Sequence, residues 1–482
     1  MIRTQLEDQL AALALALILA VAFGLRIIDL GSQPIGLPEV AAWRQAGNAF
    51  IEAIAQALQG GISPVQVTVL KGVQAVAGDS AFALRLPSVL FSVASVGLAF
   101  LLARRVAPAS AALLAAILLT LHGSDIAAAR QATDTALLGF CTLLFGLYAV
   151  GFVSDGSGSQ RTPNRRQLAW LTMVGTAAGL LLLYSHPAAL ICWLALLSGP
   201  VIIRLSYAGQ HPIPIWPLIV SQGVAGIGYL PYALALFLPS DAAATVAQSD
   251  LWRHLLAASS GWAGLLVLGT GMVLVIAHSP ATRLLHLSPL SDRMVLAAIW
   301  TVTLLVLSLG LSGVALPISA REALLTFPAA ASVMAGLGYM LIVPHRWYRY
   351  GLLAVVTIAM GLALVPFSRP TGPDFRPLAQ AIRTELKAGG CVLVGPRAML
   401  AALRYELRDL APCLKAYTTD AVISTLVGAR QRVVVVTDKA VKPSLTPEPG
   451  VSWEQRRELA RKDATITIYR RKAASPDASP AQ

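Results

Sequence analysis

Long apolar runs decide what this chain can fold into. A helix that crosses a bilayer needs about 20 apolar residues in sequence, and on that ruler about eleven runs qualify, at roughly 9–29, 82–103, 109–122, 135–153, 168–185, 187–203, 216–238, 262–278, 294–313, 323–343 and 350–367. Only 13% of the 482 residues are charged and 56% are hydrophobic, whereas roughly a quarter of the residues in a soluble domain are charged. The pattern predicts an α-helical polytopic membrane protein. The run at 109–122 is short, and those at 168–185 and 187–203 meet at "SHP", a tight hairpin. The opening residues are as acidic as basic and the first apolar run is too long for a signal peptide, so it reads as a retained first helix.

Charge then orients the runs. Arg104 and Arg105, Arg161, Arg165 and Arg166, Arg204, Arg283 and Arg293, and Arg346 and Arg349 fall on alternate connections, which by the positive-inside rule face the cytoplasm. The opposite side receives Asp29, Glu39, Glu52, Asp79, Asp125, Asp134, Asp241, Asp250 and Glu322. These basic loops explain much of the positive charge before residue 371, and the net charge of +13 does not by itself imply a nucleic-acid partner. Residues 371–482 hold 18 of the 37 Lys+Arg, and Lys71 is the only lysine before them.

Two outer connections are long. In 30–81, Val40, Trp43, Gly47, Phe50, Ile54 and Leu58 recur at helical spacing, and "GGISP" then breaks the pattern. A second helix follows, with Val65, Val69, Val73 and Val76 on one face and Thr68, Lys71 and Gln74 on another. These two amphipathic helices, within 38–78, are expected along the membrane surface. The second connection, 239–261, carries "DLWRHLL", a further surface-helix candidate. From 371 the composition becomes soluble. "DFRPLAQAIRTELKAGG" and "RAMLAALRYELRDL" read as helices, and "CVLV", "RVVVVTD" and "TITIY" as strands. The expected organisation is a transmembrane domain over 1–370, a small extracytoplasmic α/β domain over 371–472 and a disordered tail over 473–482. On the outer side Cys391 and Cys413 could pair; Cys141 and Cys192 read as small core residues.

The order of these features carries a resemblance. "GDSAFALRLPSVL" opens the second span, "ARQATDTALLGFCTLLFGLY" leads into the fourth, "LYSHPAAL" joins the fifth and sixth, and "SAREALLTFPA" precedes the tenth. Together they resemble GT-C-type membrane glycosyltransferases, in particular bacterial relatives of protein O-mannosyltransferases and of the lipid A aminoarabinose transferase. The resemblance implies transfer of a sugar from a polyprenyl-phosphate donor to a lipid, glycan or protein acceptor on the outer face. It also implies a bacterial inner (plasma) membrane location and a GT-C-like fold. Such chemistry needs cations for the departing phosphate and a carboxylate to take a proton from the acceptor hydroxyl. A divalent cation is possible in such a site and would need oxygen ligands from acids; the sequence leaves the metal unknown.

Candidate residues follow, each with a plainer role beside it. Asp134 starts the fourth span and is a candidate catalytic carboxylate; it could equally be a helix N-cap. Arg130, four residues earlier, could bind donor phosphate or pair with Asp134. Lys71 matches a lysine common in the resembling enzymes and is a donor-phosphate candidate, or a lysine snorkelling to the interface. Arg321 and His186 are further donor-phosphate candidates, and Arg85 reads as an anchor of span two. In the resembling enzymes the first surface helix begins with an Asp-Glu pair. Here those positions are Pro38 and Glu39, so Glu39 is either the remaining catalytic acid or only the acid of a helix's first turn. That departure keeps open a second function, a non-catalytic lipid-binding or scaffold subunit of envelope glycan assembly. A transporter ranks last, because charges gather at the outer boundary and not at mid-membrane.

Overall fold

The computed structural model describes residues 2–60, 62–152, 164–206, 214–237, 300–304, 306–307, 326, 331–333, 335–336, 354–358, 360–361, 375–386, 391–394, 397–407, 414–416, 432–437, 453–460 and 465–471. The chain divides into two units, one of residues 1–31 and 42–369, the other of residues 32–41 and 370–482.

The first unit is helical. In chain order it contains α1 (Ile2–Ile27), the end of α2 (Leu37–Ala46), α3 (Phe50–Gly60), α4 (Pro64–Ala77), α5 (Ala81–Val106), α6 (Ala109–Thr120), α7 (Gly123–Ala129), α8 (Thr135–Val150), α9 (Arg165–Ser185), α10 (Ala189–Ser206) and α11 (Trp216–Phe237). The first seven runs expected as spans fall on α1, α5, α6, α8, α9, α10 and α11. Among the described residues, four helices are long and apolar enough to cross a membrane, and α6 with α7 forms a pair bent by 60° that counts as a fifth if it is one span. The run at 262–278, and most of the three after it, lie outside the described residues. Local sequence sets several helix starts. Ser63 accepts from Gln66 N ahead of Pro64, Ser80 accepts from Ala83 N, and Asn164 forms a capping box with Gln167.

The packing is that of a protein in lipid. Small residues line the core, among them Ala22 on α1, Ala99 and Ala103 on α5, Ala112 and Ala115 on α6, and Ala195 on α10, each buried. Outward faces are apolar instead of charged: Leu13 and Leu17 on α1, Trp170 and Met173 on α9, and Ile227 and Leu234 on α11 are exposed. Without a hydrophobic drive between helices, close backbone approach and interhelical hydrogen bonds supply cohesion. The α9–α11 contact shows both. Gln222 donates to Gly175 O (2.9 Å) and accepts from Trp193 Nε1 (2.8 Å), and Tyr148 meets Ser221 (3.1 Å). A Cβ at Gly175 would sit 2.1 Å from Tyr148 Oη, and one at Gly179 2.4 Å from Gln222 Oε1. Gly175→Val is therefore expected to cost about 1–3 kcal/mol by overpacking, read as a lower thermal midpoint in detergent, whereas Gly139→Ala, whose added Cβ meets nothing within 4 Å among the described residues, should not be destabilising.

The outer connection departs from the sequence reading. The helix expected from Val40 to Leu58 is two helices, α2 and α3, broken at 47–49. The break has a visible cause. Lys71 of α4 donates to Ala46 O (3.2 Å) and Asn48 O (2.5 Å), so its ammonium satisfies carbonyls that a continuous helix would have used. Gln74 donates to Trp43 O, and Trp43 Nε1 to Asp79 Oδ1, tying α2 further to α4 and its end. The start of α4 is held by tyrosines: Ser63 donates to Tyr184 O and Tyr232 to Ile62 O, where Tyr184, Tyr229 and Tyr232 pack ring on ring.

The second unit contains α12 (Arg376–Leu386), α13 (Arg397–Glu406) and strands β1 (Cys391–Val394), β2 (Leu414–Ala416), β3 (Arg432–Thr437), β4 (Trp453–Ala460) and β5 (Thr465–Arg471), ordered β2-β1-β3-β5-β4. β1 pairs in parallel with β2 and β3; β5 pairs antiparallel with β3 and β4. Residues 32–41, which lead into α2, belong to this unit.

Candidate functional site

Asp134 precedes α8, yet it does not cap it: its backbone is helical and its carboxylate takes no N-terminal N–H. The carboxylate instead lies 3.7 Å from Nε2 of His186, the residue that ends α9. His186 is buried, and its Nδ1 accepts from Ala188 N (3.0 Å). An accepting Nδ1 leaves the ring proton on Nε2, so the N–H of His186 faces Asp134. Two residues 52 positions apart in sequence are thus brought together at neighbouring helix ends.

Arg130 is not the partner of Asp134. Its Nη2 donates to Leu25 O (2.9 Å) and Ile28 O (3.1 Å), closing the C-terminus of α1. Burial holds its guanidinium below the usual value; the Asp29 carboxylate works against this and Arg26 adds to it. Lys71 spends two of its three N–H donors on the α2–α3 break. Arg85 is buried and donates to Leu30 O (2.8 Å), in keeping with an anchor. Arg321 and Glu322 lie outside the described residues, as does Cys413.

Glu39 is buried, and its Oε2 accepts from Gly36 N at 2.7 Å. Gly36 is the N-cap of α2, since its carbonyl accepts from Val40 N (3.1 Å). Glu39 thus stands at the third helical position and supplies the reaching-back half of a capping box. Pro38 falls at the second helical position, one later than expected.

A buried cluster escaped the sequence reading. Arg26, fully buried near the end of α1, donates through Nε to Ser92 Oγ (2.6 Å) and through Nη2 to Asp125 Oδ2 (2.6 Å). It also reaches Ala22 O, Leu119 O and Thr120 O, and Ser92 Oγ donates to the same Asp125 oxygen (2.5 Å). The guanidinium therefore sits in the break between α6 and α7 and satisfies the last carbonyls of α6. His122, in the same break, is buried and meets Ser124 through Nδ1. The only sequence signal was a base and an acid, Arg26 and Asp125, both at outer span ends. Among the described residues no three His, Cys, Asp or Glu side chains gather as a metal site.

Comparison with known proteins agrees with this architecture. Residues 62–208, from α4 into the connection after α10, match the family described as dolichyl-phosphate-mannose-protein mannosyltransferase. No curated protein matches the chain by sequence. Among solved structures, ArnT from Cupriavidus metallidurans bound to undecaprenyl phosphate is similar over 97% of this chain and 99% of its own, at 13% identity and a TM-score of 0.61. The oligosaccharyltransferase AglB from Archaeoglobus fulgidus, in complex with an inhibitory peptide and a dolichol-phosphate, is similar over 89% of this chain and 69% of its own (13% identity, TM-score 0.52). The arabinofuranosyltransferase AftD from Mycobacteria is similar over 96% of this chain and 40% of its own (14% identity, TM-score 0.53). This multi-pass membrane protein has the fold of the GT-C-type glycosyltransferases, and within it a segment that matches their mannosyltransferase family model.

Proposed function

We propose that this protein transfers a sugar from a polyprenyl-phosphate donor to a lipid, glycan or protein acceptor at the extracytoplasmic face of a bacterial plasma membrane. The observation that carries the reading is the Asp134–His186 pair, in which the acid is left uncommitted by helix capping and faces an imidazole N–H. Asp134 takes the proton of the acceptor hydroxyl as the sugar leaves the donor phosphate, and His186 holds the carboxylate in place. Glu39 is the second carboxylate. Lys71 offers its remaining N–H to the donor phosphate, joined by Arg321; Arg130, committed to the end of α1, contributes through position. Eleven spans, with the sheet-bearing C-terminal domain on the outer side, complete the arrangement. The sequence match over residues 62–208, which includes Lys71, Asp134 and His186, supports this reading over a non-catalytic scaffold.

The test is direct. Full-length protein in lipid nanodiscs is given labelled polyprenyl-phosphate pentose or hexose, and release of polyprenyl phosphate is followed. Turnover above empty discs is expected; neither binding nor turnover with any such donor would end the proposal. Lys71→Met should raise the donor KM about tenfold with less effect on kcat through the lost hydrogen bond to the donor, and should also lower the thermal midpoint, because the bonds to Ala46 O and Asn48 O go with it. A donor titration of the variant separates the two constants.

A further inference from the structure

The turn that carries Glu39 is held by a residue 337 positions later in the chain. Arg376, the first residue of α12, donates through Nη1 to Ser32 O and through Nη2 to Gln33 O (2.6 Å). Its Nε lies 3.9 Å from the Glu406 carboxylate at the end of α13. Arg383, one α-helical step of seven residues further on, donates to Glu406 O (3.0 Å), so the two helices that orient the guanidinium are tied to each other. A planar guanidinium with donors on two successive carbonyls fixes the direction of the turn it grips, which a lysine ammonium cannot do as well. Three residues beyond Gln33, Gly36 begins α2 and Glu39 closes onto its N–H.

We infer that Arg376 is a positioning residue: through it, the sheet-bearing C-terminal unit holds the Ser32–Gln33 turn and so sets how Glu39 is presented at the start of α2. This rests on the transfer reading only in that Glu39 is one of its two carboxylates; the grip itself is a matter of geometry. The grip lies within one unit, since residues 32–41 belong with residues 370–482.

Hydrogen exchange on the full-length protein in nanodiscs, without donor, tests the grip. In Arg376→Ala, exchange in peptides covering 32–41 is expected to quicken about tenfold, consistent with losing a charge-assisted pair of hydrogen bonds. Arg383→Ala, which removes the bond to Glu406 O between α12 and α13, should leave those peptides near wild type, and Arg376→Lys should restore part of the protection. Unchanged exchange in Arg376→Ala, or equal quickening in Arg383→Ala, would overturn the inference. If Arg376→Ala loosens the whole unit, Glu406→Gln is the second variant: it leaves the guanidinium present but less oriented, and quickening confined to 32–41 is expected, while none overturns the inference. In turnover, Arg376→Ala should lower kcat with the donor KM little changed, and an unchanged kcat counts against positioning. A wild-type protein with neither donor binding nor turnover would end the transfer reading while the exchange result still decides the grip.

Discussion

Replacing Asp134 with asparagine is expected to lower release of polyprenyl phosphate from a sugar donor by about 100- to 10,000-fold, the usual range for removing a positioned general base. The substitution keeps shape and hydrogen-bonding ability and removes only the charge and the basicity. It should fold normally, because Asp134 makes no cap to the N–H groups of α8 and, among the described residues, its carboxylate faces His186 and no arginine. His186→Phe should reduce turnover by a smaller factor, since it removes the N–H that faces the acid but leaves the acid itself. Donor affinity should change little in either variant, so the loss appears in kcat. Thermal midpoints measured beside the turnover separate chemistry from folding. Wild-type turnover in a well-folded Asp134→Asn would remove Asp134 from the mechanism and with it the observation on which the transfer reading stands.

Much of the helical part was legible because its signals are local. Apolar runs of membrane-spanning length mark α1, α5, α9 and α11 with ends within a few residues. Serine before Pro64 and before Ala81 marks two helix starts, because a cap needs only a hydroxyl and a nearby N–H. The break between α2 and α3 was not legible: helical spacing runs straight through it, and the ammonium that ends α2 comes from α4. β4 was also missed. "WEQRRELA" is highly charged and lacks alternation of apolar residues, but it is an edge strand, where charge discourages further pairing. In the site, Asp134 and His186 could be picked singly by residue type and place, yet their meeting depends on how the ends of α8 and α9 pack. The expected pair Arg130 and Asp134, four apart, assumed a helix running through both; instead α7 ends at Ala129, and the guanidinium turns to α1.

Replacing Arg26 with methionine is expected to cost about 3–5 kcal/mol, the range for removing one partner of a buried ion pair. Three losses combine in this variant. Asp125 loses its cation, Ser92 loses a donor to its hydroxyl oxygen, and the carbonyls of Leu119 and Thr120 lose theirs at the point where α6 gives way to α7. Leu119 and Thr120 are buried, so those carbonyls cannot turn to solvent instead. Asp125→Asn alone should also destabilise, because it leaves the guanidinium buried with a weaker partner. The double variant Arg26→Met/Asp125→Asn should be less damaged than the sum of the two, since no buried charge is left unpaired, with a coupling in the range of about 0.5–3 kcal/mol. Thermal unfolding of all four proteins in one detergent measures the cycle. Additive losses would show that Arg26 and Asp125 act on stability separately, and an Arg26→Met protein within about 0.5 kcal/mol of wild type would show that the cluster does not hold the α6–α7 break. Because α7 leads through Arg130 directly to Asp134, a protein that loses this clamp should lose turnover in step with its thermal midpoint, in contrast to Asp134→Asn, which should lose turnover alone.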